Sequence, residues 1–276
     1  MRILITNDDG YKAKGIKCLV NIMRKFGDLT IVAPKSAQSG MSMAVTMGYK
    51  PIAVRHLKDD PAEDWWYLDG TPASCVKFGL DNILYPERPD LVVCGINHGS
   101  NAATAACYSG TLGAASEGAI NGIPAIGVSL DEFSNDADFS AIETMLPGIL
   151  KRLLGSISHR FGVYYNINFP MLPASEIKGV KIGRMGIVHW ENEYRTYGKE
   201  FLESRGHEPS PADIEYIKAV LPGEECYVMA GDMMENYGNG PDADHILMEN
   251  GYVAITPLNL DNTDEGELKR LCDIIW

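Results

Sequence analysis

Residues 1–10, with the sequence MRILITNDDG, decide the fold class of this chain. The apolar run 3–5 predicts a buried β-strand that ends at two adjacent carboxylates, Asp8 and Asp9. Ligands of open α/β sheets bind outside the carboxyl ends of the strands, so these acids are candidates for a metal or phosphate site. The stretch also suits a sharp strand-to-helix turn with an acidic N-cap, and by itself it does not separate the two interpretations.

Polar residues follow two later strands in the same way. Residues 28–34 predict a second buried strand, which leads into a loop rich in Ser and Gly that includes Ser39. Residues 89–96 predict a third, followed by Asn-His-Gly-Ser-Asn at 97–101. This recurrence favours a ligand site over turn chemistry.

The spacing of apolar residues predicts helices between the strands. Positions 16, 19, 20, 23 and 26 follow the helical period, and Gly27 is expected to terminate that helix. Further helices are predicted at 73–84, 109–120 and 139–154, and further strands at 124–130 and 164–170. Strands that alternate with helices form parallel βαβ units, which predicts an α/β fold with a doubly wound, Rossmann-like parallel sheet.

The regular alternation of strand and helix patterns ends near residue 174. We therefore expect an α/β catalytic core at 1–174 and a β-rich C-terminal extension at 175–276 that serves oligomerisation. Short strands are predicted at 180–188, 225–229 and 253–255. The segment 191–222 is too long for an ordinary loop and rich in aromatic residues, which favours an arm that packs on another subunit.

Composition restricts the partners. With 24 basic and 37 acidic residues, the net charge of −13 argues against a nucleic-acid polymer, although a few amides and one cation can hold a mononucleotide. No apolar run reaches the length of a membrane span, so we expect a cytoplasmic protein without a membrane partner. The six cysteines show neither CxxC spacing nor a cluster with histidine, which indicates buried, reduced thiols.

Six motifs in order resemble the SurE family of stationary-phase survival proteins, which are metal-dependent 5'-nucleotidases. They are ILITNDDG at 3–10, VAPKSAQSGMS at 32–42, DGTPASCV at 69–76, PDLVVCGIN at 89–97, YSGTLGAASEGA at 108–119 and GYVAITPL at 251–258. The resemblance implies hydrolysis of nucleoside monophosphates, with 3'-nucleotides and short polyphosphate as further substrates. It also implies a homodimer or homotetramer.

The resemblance assigns candidate site residues. Its metal ligands are Asp8, Asp9, Ser39 and Asn97, the two acids being also the catalytic candidates. This all-oxygen set implies one Mg²⁺ or Mn²⁺ per subunit. Substrate phosphate is expected at Ser109, Gly110 and Thr111, where a helix begins, and more weakly at Asn101. Simple N-capping is the alternative role for the tripeptide.

Other residues near the candidate site either depart from the family motifs or are expected to have supporting roles. The family has a Gly and an Asp in an NxGxD pattern that starts at Asn101, and an acid at Ser74, and this chain lacks all three. His98 is expected to support the site or face solvent, and Lys12 to be solvated. The cluster Asp242, Asp244 and His245 is expected to be structural.

Other function classes fit less well. A receiver-type domain needs a phosphorylatable Asp after a later strand, whereas the third strand ends in Asn97. A dinucleotide oxidoreductase needs a GxGxxG turn where this chain carries acids. A nucleotide-sensing regulatory dimer with weak catalysis remains the alternative function.

Overall fold

The computed structural model describes residues 1–48, 51–58, 60, 62–134, 136–204, 214–215, 223–235 and 237–274. The chain divides into two compact units. The first consists of Met1–Gly186 and Gly240–Trp276, and the second of Ile187–Asn239.

A nine-stranded sheet forms the centre of the first unit. Its strands in chain order are β1 (Arg2–Thr6), β2 (Asp28–Pro34), β3 (Val54–Lys58), β4 (Glu63–Leu68), β5 (Leu91–His98), β6 (Ala125–Leu130), β7 (Val163–Phe169), β8 (Val180–Ile182) and β13 (Val253–Asn259). The order across the sheet is β3-β4-β2-β1-β5-β6-β7-β13-β8. Only the β3–β4 and β7–β13 pairs are antiparallel. The predicted α/β fold with a mainly parallel sheet is therefore confirmed.

Helices cover both faces of this sheet. They are α1 (Lys14–Met23), α2 (Pro72–Phe78), α3 (Gly110–Ile120) and α4 (Ser140–Leu154), followed near the C-terminus by the short α6 (Asp244–Glu249) and α7 (Glu265–Cys272). Ile16 of α1 and Leu146 of α4 belong to one apolar core, whereas Val76 of α2 and Ala114 of α3 belong to the other. Apolar strands buried on both faces explain why β1, β2 and β5 read as continuous hydrophobic runs.

The second unit contains two small antiparallel pairs and a short helix. β9 (His189–Glu191) pairs with β12 (Asp232–Met234), and β10 (Tyr194–Thr196) pairs with β11 (Tyr227–Met229). Helix α5 covers Lys199–Ser204. The predicted arm at 191–222 includes 205–213 and 216–222, which lie outside the described residues.

Three local expectations need correction, and one edge of the sheet has no counterpart among the predicted strands. Helix α1 ends at Met23, and Gly27 is not its terminating residue: its Cα lies against the Met1 carbonyl, where a side chain has no room. Residues 180–188 form a strand only at Val180–Ile182. The sheet edge formed by β3 and β4 was not predicted, because its mixture of charged and aromatic residues lacks a clear strand period. Of the cysteines, all six are free thiols, but only Cys18, Cys75 and Cys94 are buried.

The predicted division at residue 174 stays a prediction. Strands β8 and β13 lie beyond that boundary and belong to the central sheet. None of the helices in the described part of the chain is long and apolar enough to cross a membrane.

Candidate active site at the sheet switch point

The candidate site lies where the winding of the sheet reverses. From β1 the chain proceeds to β2 and β4 on one side, and it later returns to β5, β6 and β7 on the other. Asp8 and Asp9 follow β1, and Asn97 lies at the end of the adjacent β5. Such a switch point leaves a crevice between neighbouring loops, which is where open α/β sheets bind ligands.

In the turn after β1, the residues that shape the main chain differ from the two acids, whose carboxylates are available for chemistry. Asn7 donates its side-chain amide to the Gly10 carbonyl at 3.0 Å, and Gly10 has a φ of +95°. Helix α1 receives no side-chain cap, so neither acid serves as its N-cap. The turn chemistry is therefore carried by Asn7 and Gly10.

Asp8 is held in a buried position. The residue is only 3% exposed, and its Oδ1 accepts a hydrogen bond from the Thr111 hydroxyl at 2.6 Å. Burial raises the pKa of Asp8 from 3.8 to about 6, against the lowering effect of the Thr111 hydroxyl and with a further increase from the charge of Asp9. A cation at this carboxylate would offset the cost of keeping it ionised.

Asp9 is partly exposed and is held by the end of β5. Its Oδ2 accepts a hydrogen bond from the His98 main-chain N–H at 3.2 Å. Burial raises the pKa of Asp9, and the His98 N–H opposes that increase. The His98 ring donates from Nδ1 to the Ser134 carbonyl at 2.9 Å and packs edge-on against Phe139. These contacts anchor the ring beside the acids.

The other two proposed ligands lie on neighbouring segments, Asn97 at the end of β5, which pairs with β1, and Ser39 on the loop after β2. Asn97 donates its amide nitrogen to the Gly99 carbonyl at 2.8 Å, so its oxygen is the atom that remains for a cation. Ser39 is exposed on the loop after β2. The preceding residue, Gln38, donates its N–H to the Asp8 carbonyl at 2.7 Å, which places Ser39 beside the β1 turn.

The beginning of α3 faces Asp8. A Cβ on Gly110 would lie 2.9 Å from the Asp8 Cβ and 3.1 Å from the Gln38 carbonyl oxygen, so this close approach requires glycine. Ser109 caps the helix by accepting from the Leu112 N–H at 3.1 Å. The hydrogen of the Thr111 hydroxyl is directed to Asp8. The capping role is therefore present, and a phosphate role stays a prediction.

The donor atoms in this place suit a hard divalent cation. Two carboxylates, one amide and one hydroxyl offer only oxygen, the ligand type that Mg²⁺ and Mn²⁺ prefer. Across the described residues, no group of three or more His, Cys, Asp or Glu side chains is arranged to hold a metal. The fit at the switch point thus rests on the oxygen chemistry of these four side chains.

Comparison with known proteins shows the family to which the chain belongs. The family model described as Survival protein SurE matches residues 3–192. The chain belongs to the SurE family. It is 38% identical over 271 residues to the 5'-nucleotidase SurE of Christiangramia forsetii, covering 98% of this chain and 95% of that protein. It is 36% identical over 271 residues to the 5'-nucleotidase SurE of Thermosipho melanesiensis, covering 98% and 96%.

A solved structure extends the likeness to three dimensions. The crystal structure of the SurE protein from Aquifex aeolicus matches with a TM-score of 0.75 and 32% identity, covering 99% of this chain and 100% of that one. The fold described above is therefore the SurE fold.

The departures from the SurE motifs have local structural counterparts. Ala103 stands at the glycine position of the NxGxD pattern and has a φ of +52°, a conformation that favours glycine. Ser74 replaces the family acid, and its hydroxyl bonds the Thr71 hydroxyl at 2.9 Å and accepts from the Thr46 N–H at 2.8 Å. Ser74 thus helps to organise the start of α2.

Asn101 is engaged within the protein. Its amide nitrogen donates to the Ser129 hydroxyl at 2.8 Å, and its main chain bonds Asn166 and Asn168 of β7. The phosphate-binding role of Asn101 stays a prediction, and one of the two N–H donors of its side-chain amide is already bonded to Ser129. Sequence reasoning misses the two β7 asparagines, although polar residues two apart on a buried strand are a usable signal.

Of the three residues expected to be structural near the C-terminus, two are buried. Asp244 and His245 lie inside the first unit, whereas Asp242 is exposed and pairs with Arg184 at 2.9 Å.

Proposed function

We propose that this protein is a divalent-metal-dependent 5'-nucleotidase that hydrolyses the phosphomonoester of nucleoside monophosphates. The observation that carries the proposal is the meeting of Asp8, Asp9 and Asn97 at the switch point of the sheet. The names of the relatives, 5'-nucleotidase SurE, support the same reaction. We extend the substrate range to 3'-nucleotides and short polyphosphate.

Asp8, Asp9, Ser39 and Asn97 would hold one Mg²⁺ or Mn²⁺ per subunit. The bound ion would polarise the phosphoryl group and lower the pKa of a water ligand. Thr111 fixes one oxygen of Asp8, and the His98 N–H fixes one oxygen of Asp9. These bonds orient both carboxylates before substrate arrives, which lowers the reorganisation that the reaction requires.

The beginning of α3 supports the phosphate. The first N–H groups of a helix carry partial positive charge and stabilise a bound anion. Ser109, Gly110 and Thr111 form that beginning, next to Asp8. We propose that their main-chain amides bind the non-bridging oxygens of the phosphate, with Asn101 as a weaker donor. Negative charge is spread over these oxygens in the transition state of phosphoryl transfer, so hydrogen-bond donors there stabilise it.

One assay series tests the proposal. Wild-type protein is assayed on nucleoside 5'- and 3'-monophosphates and on tripolyphosphate with Mg²⁺, Mn²⁺ or EDTA. We expect release of phosphate that stops in EDTA and falls by orders of magnitude in Asp9→Asn. The matched control is Asp69→Asn, which changes another acid at a strand end, one that is exposed and pairs with the exposed Lys35. Full activity in EDTA contradicts the metal role, and nucleotide binding without turnover favours the sensing alternative.

We also propose a homodimer or homotetramer in the cytoplasm. Helix α7 has no buried residue, although Leu268 and Leu271 lie on it. An apolar groove between α4 and β8 is lined by Ile149, Leu153 and Ile182, among others. Light scattering on the intact protein and on a variant without residues 191–222 tests the assembly. We expect a lower oligomeric state after deletion. An unchanged number of subunits would mean that the segment packs only within its own subunit.

A further inference from the structure

The segment 97–111, here named the site loop, bonds to both acids of the candidate site. At its beginning, the His98 N–H donates to Asp9. At its end, the Thr111 hydroxyl donates to Asp8. The loop itself includes Asn97, which donates to Gly99. The position of the site loop therefore determines where three of the proposed ligands lie.

The site loop also holds the loop that carries Ser39. Ser42 donates its hydroxyl to the Cys107 carbonyl at 2.8 Å and its main-chain N–H to the Tyr108 carbonyl at 2.9 Å. The Cα of Gly113 at the start of α3 lies against the Ser42 carbonyl without room for a side chain. The segment thus carries Asn97, bonds the side chains of Asp8 and Asp9, and contacts the loop that carries Ser39.

Two asparagines of β7 hold the site loop by the main chain of Asn101. Asn168 accepts from the Asn101 N–H at 2.9 Å through its Oδ1, and Asn166 donates from Nδ2 to the Asn101 carbonyl at 2.8 Å. Both β7 side chains are fully buried. Because an N–H only donates and a carbonyl only accepts, the orientation of each side-chain amide is determined.

A buried acid from a distant part of the chain holds the next residues. Asp244 is 0% exposed, and its Oδ1 accepts from the Ala103 N–H at 2.9 Å and from the Gly186 N–H at 3.0 Å. The other carboxylate oxygen, Oδ2, lies 3.4 Å from the Thr256 hydroxyl. Ala103 has its positive φ at the point where this bond forms. The acid therefore fixes a main-chain conformation that alanine does not favour by itself.

We propose that Asp244, Asn166 and Asn168 are positioning residues that hold the site loop by its main chain, so that Asn97, Asp8 and Asp9 keep the arrangement needed to bind a divalent cation. The inference rests on the proposed metal-dependent function. None of the three side chains is placed among the ligands, and each acts through residues 101–103. Loss of such an outer partner typically lowers metal affinity or activity 10–100-fold.

The acid provides the sharpest test because it permits a rescue. Asp244→Ala removes the acceptor of three main-chain N–H groups, those of Ala103, Gly186 and His245. In Asp244→Asn the side-chain oxygen still accepts from Ala103 and Gly186, and the Thr256 hydroxyl can accept from the new amide. Asp242→Ala is the matched control, because Asp242 lies two residues away but is exposed.

The measurements are the Mn²⁺ affinity, from electron paramagnetic resonance of the free ion, and kcat and KM for a nucleoside monophosphate. Thermal unfolding of each variant sets an assay temperature at which all are folded. For Asp244→Ala we expect at least tenfold weaker Mn²⁺ binding and at least tenfold lower kcat at saturating Mn²⁺, with substantial recovery in Asp244→Asn. The control should match the wild type.

Wild-type Mn²⁺ affinity and kcat in a folded Asp244→Ala overturn the proposal and make the acid a stability residue only. If that variant does not fold, Asn168→Ala gives the second test, with the same expected loss and the same overturning result. An inactive wild type that still binds Mn²⁺ contradicts the proposed nucleotidase activity. In that case the Mn²⁺ affinities of the variants continue to test the positioning role.

Discussion

Replacing Asp8 by Asn should stabilise the metal-free protein. The Asp8 carboxyl is buried, and its pKa is raised from 3.8 to about 6, chiefly by burial. Each unit of difference between the pKa in the folded state and the pKa in the unfolded state is worth about 1.4 kcal/mol. The ionised group therefore lowers the free energy of unfolding by about 3 kcal/mol above pH 6. The amide of asparagine carries no charge and still accepts from the Thr111 hydroxyl.

The sign of the pH dependence follows from proton binding. Between the two pKa values the folded protein binds a proton at Asp8 that the unfolded chain releases, so the folded state loses stability as pH rises through about 6. The advantage of Asp8→Asn should therefore be largest at pH 8. At pH 5, where most folded molecules hold the proton, it should be about half as large.

Urea unfolding in EDTA at pH 8 and pH 5 measures this difference, with Asp69→Asn as the control for loss of one acid. Adding Mn²⁺ should raise the unfolding midpoint of the wild type and not that of Asp8→Asn, because binding to the folded state alone stabilises it. A gain that is equal at both pH values, or a variant less stable than the wild type at pH 8, refutes the reasoning that burial of this charge opposes folding.

Three further substitutions have expected outcomes. Ala103→Gly should stabilise the protein by about 1 kcal/mol in urea unfolding, because glycine relieves the positive φ. Gly110→Ala should weaken Mn²⁺ binding measured by calorimetry, since the added Cβ would meet the Asp8 side chain at 2.9 Å. Ser109→Ala should lower the free energy of unfolding by about 1 kcal/mol through loss of the cap on Leu112, and an unchanged midpoint would contradict that role.

Local patterns were sufficient for the main elements of the core. The helical spacing from position 16 to 26 and the apolar runs of β1, β2 and β5 depend on neighbouring residues, and a parallel α/β sheet follows from their alternation. The same patterns were insufficient at the edge. All of β3 is exposed and the four middle residues of β4 are half-buried, which leaves little hydrophobic period to read.

The sequence by itself determined the fold class, the family and the acids at the end of β1. The tertiary structure decided which side chains hold those acids. Thr111 reaches Asp8 across 103 residues, and Asp244 reaches Ala103 across 141. Hydrophobic periodicity is a local property, whereas the partner of a buried polar group is set by how distant segments pack. For this reason Asp244 was recognised only as structural, and its contact with the site loop became visible only in three dimensions.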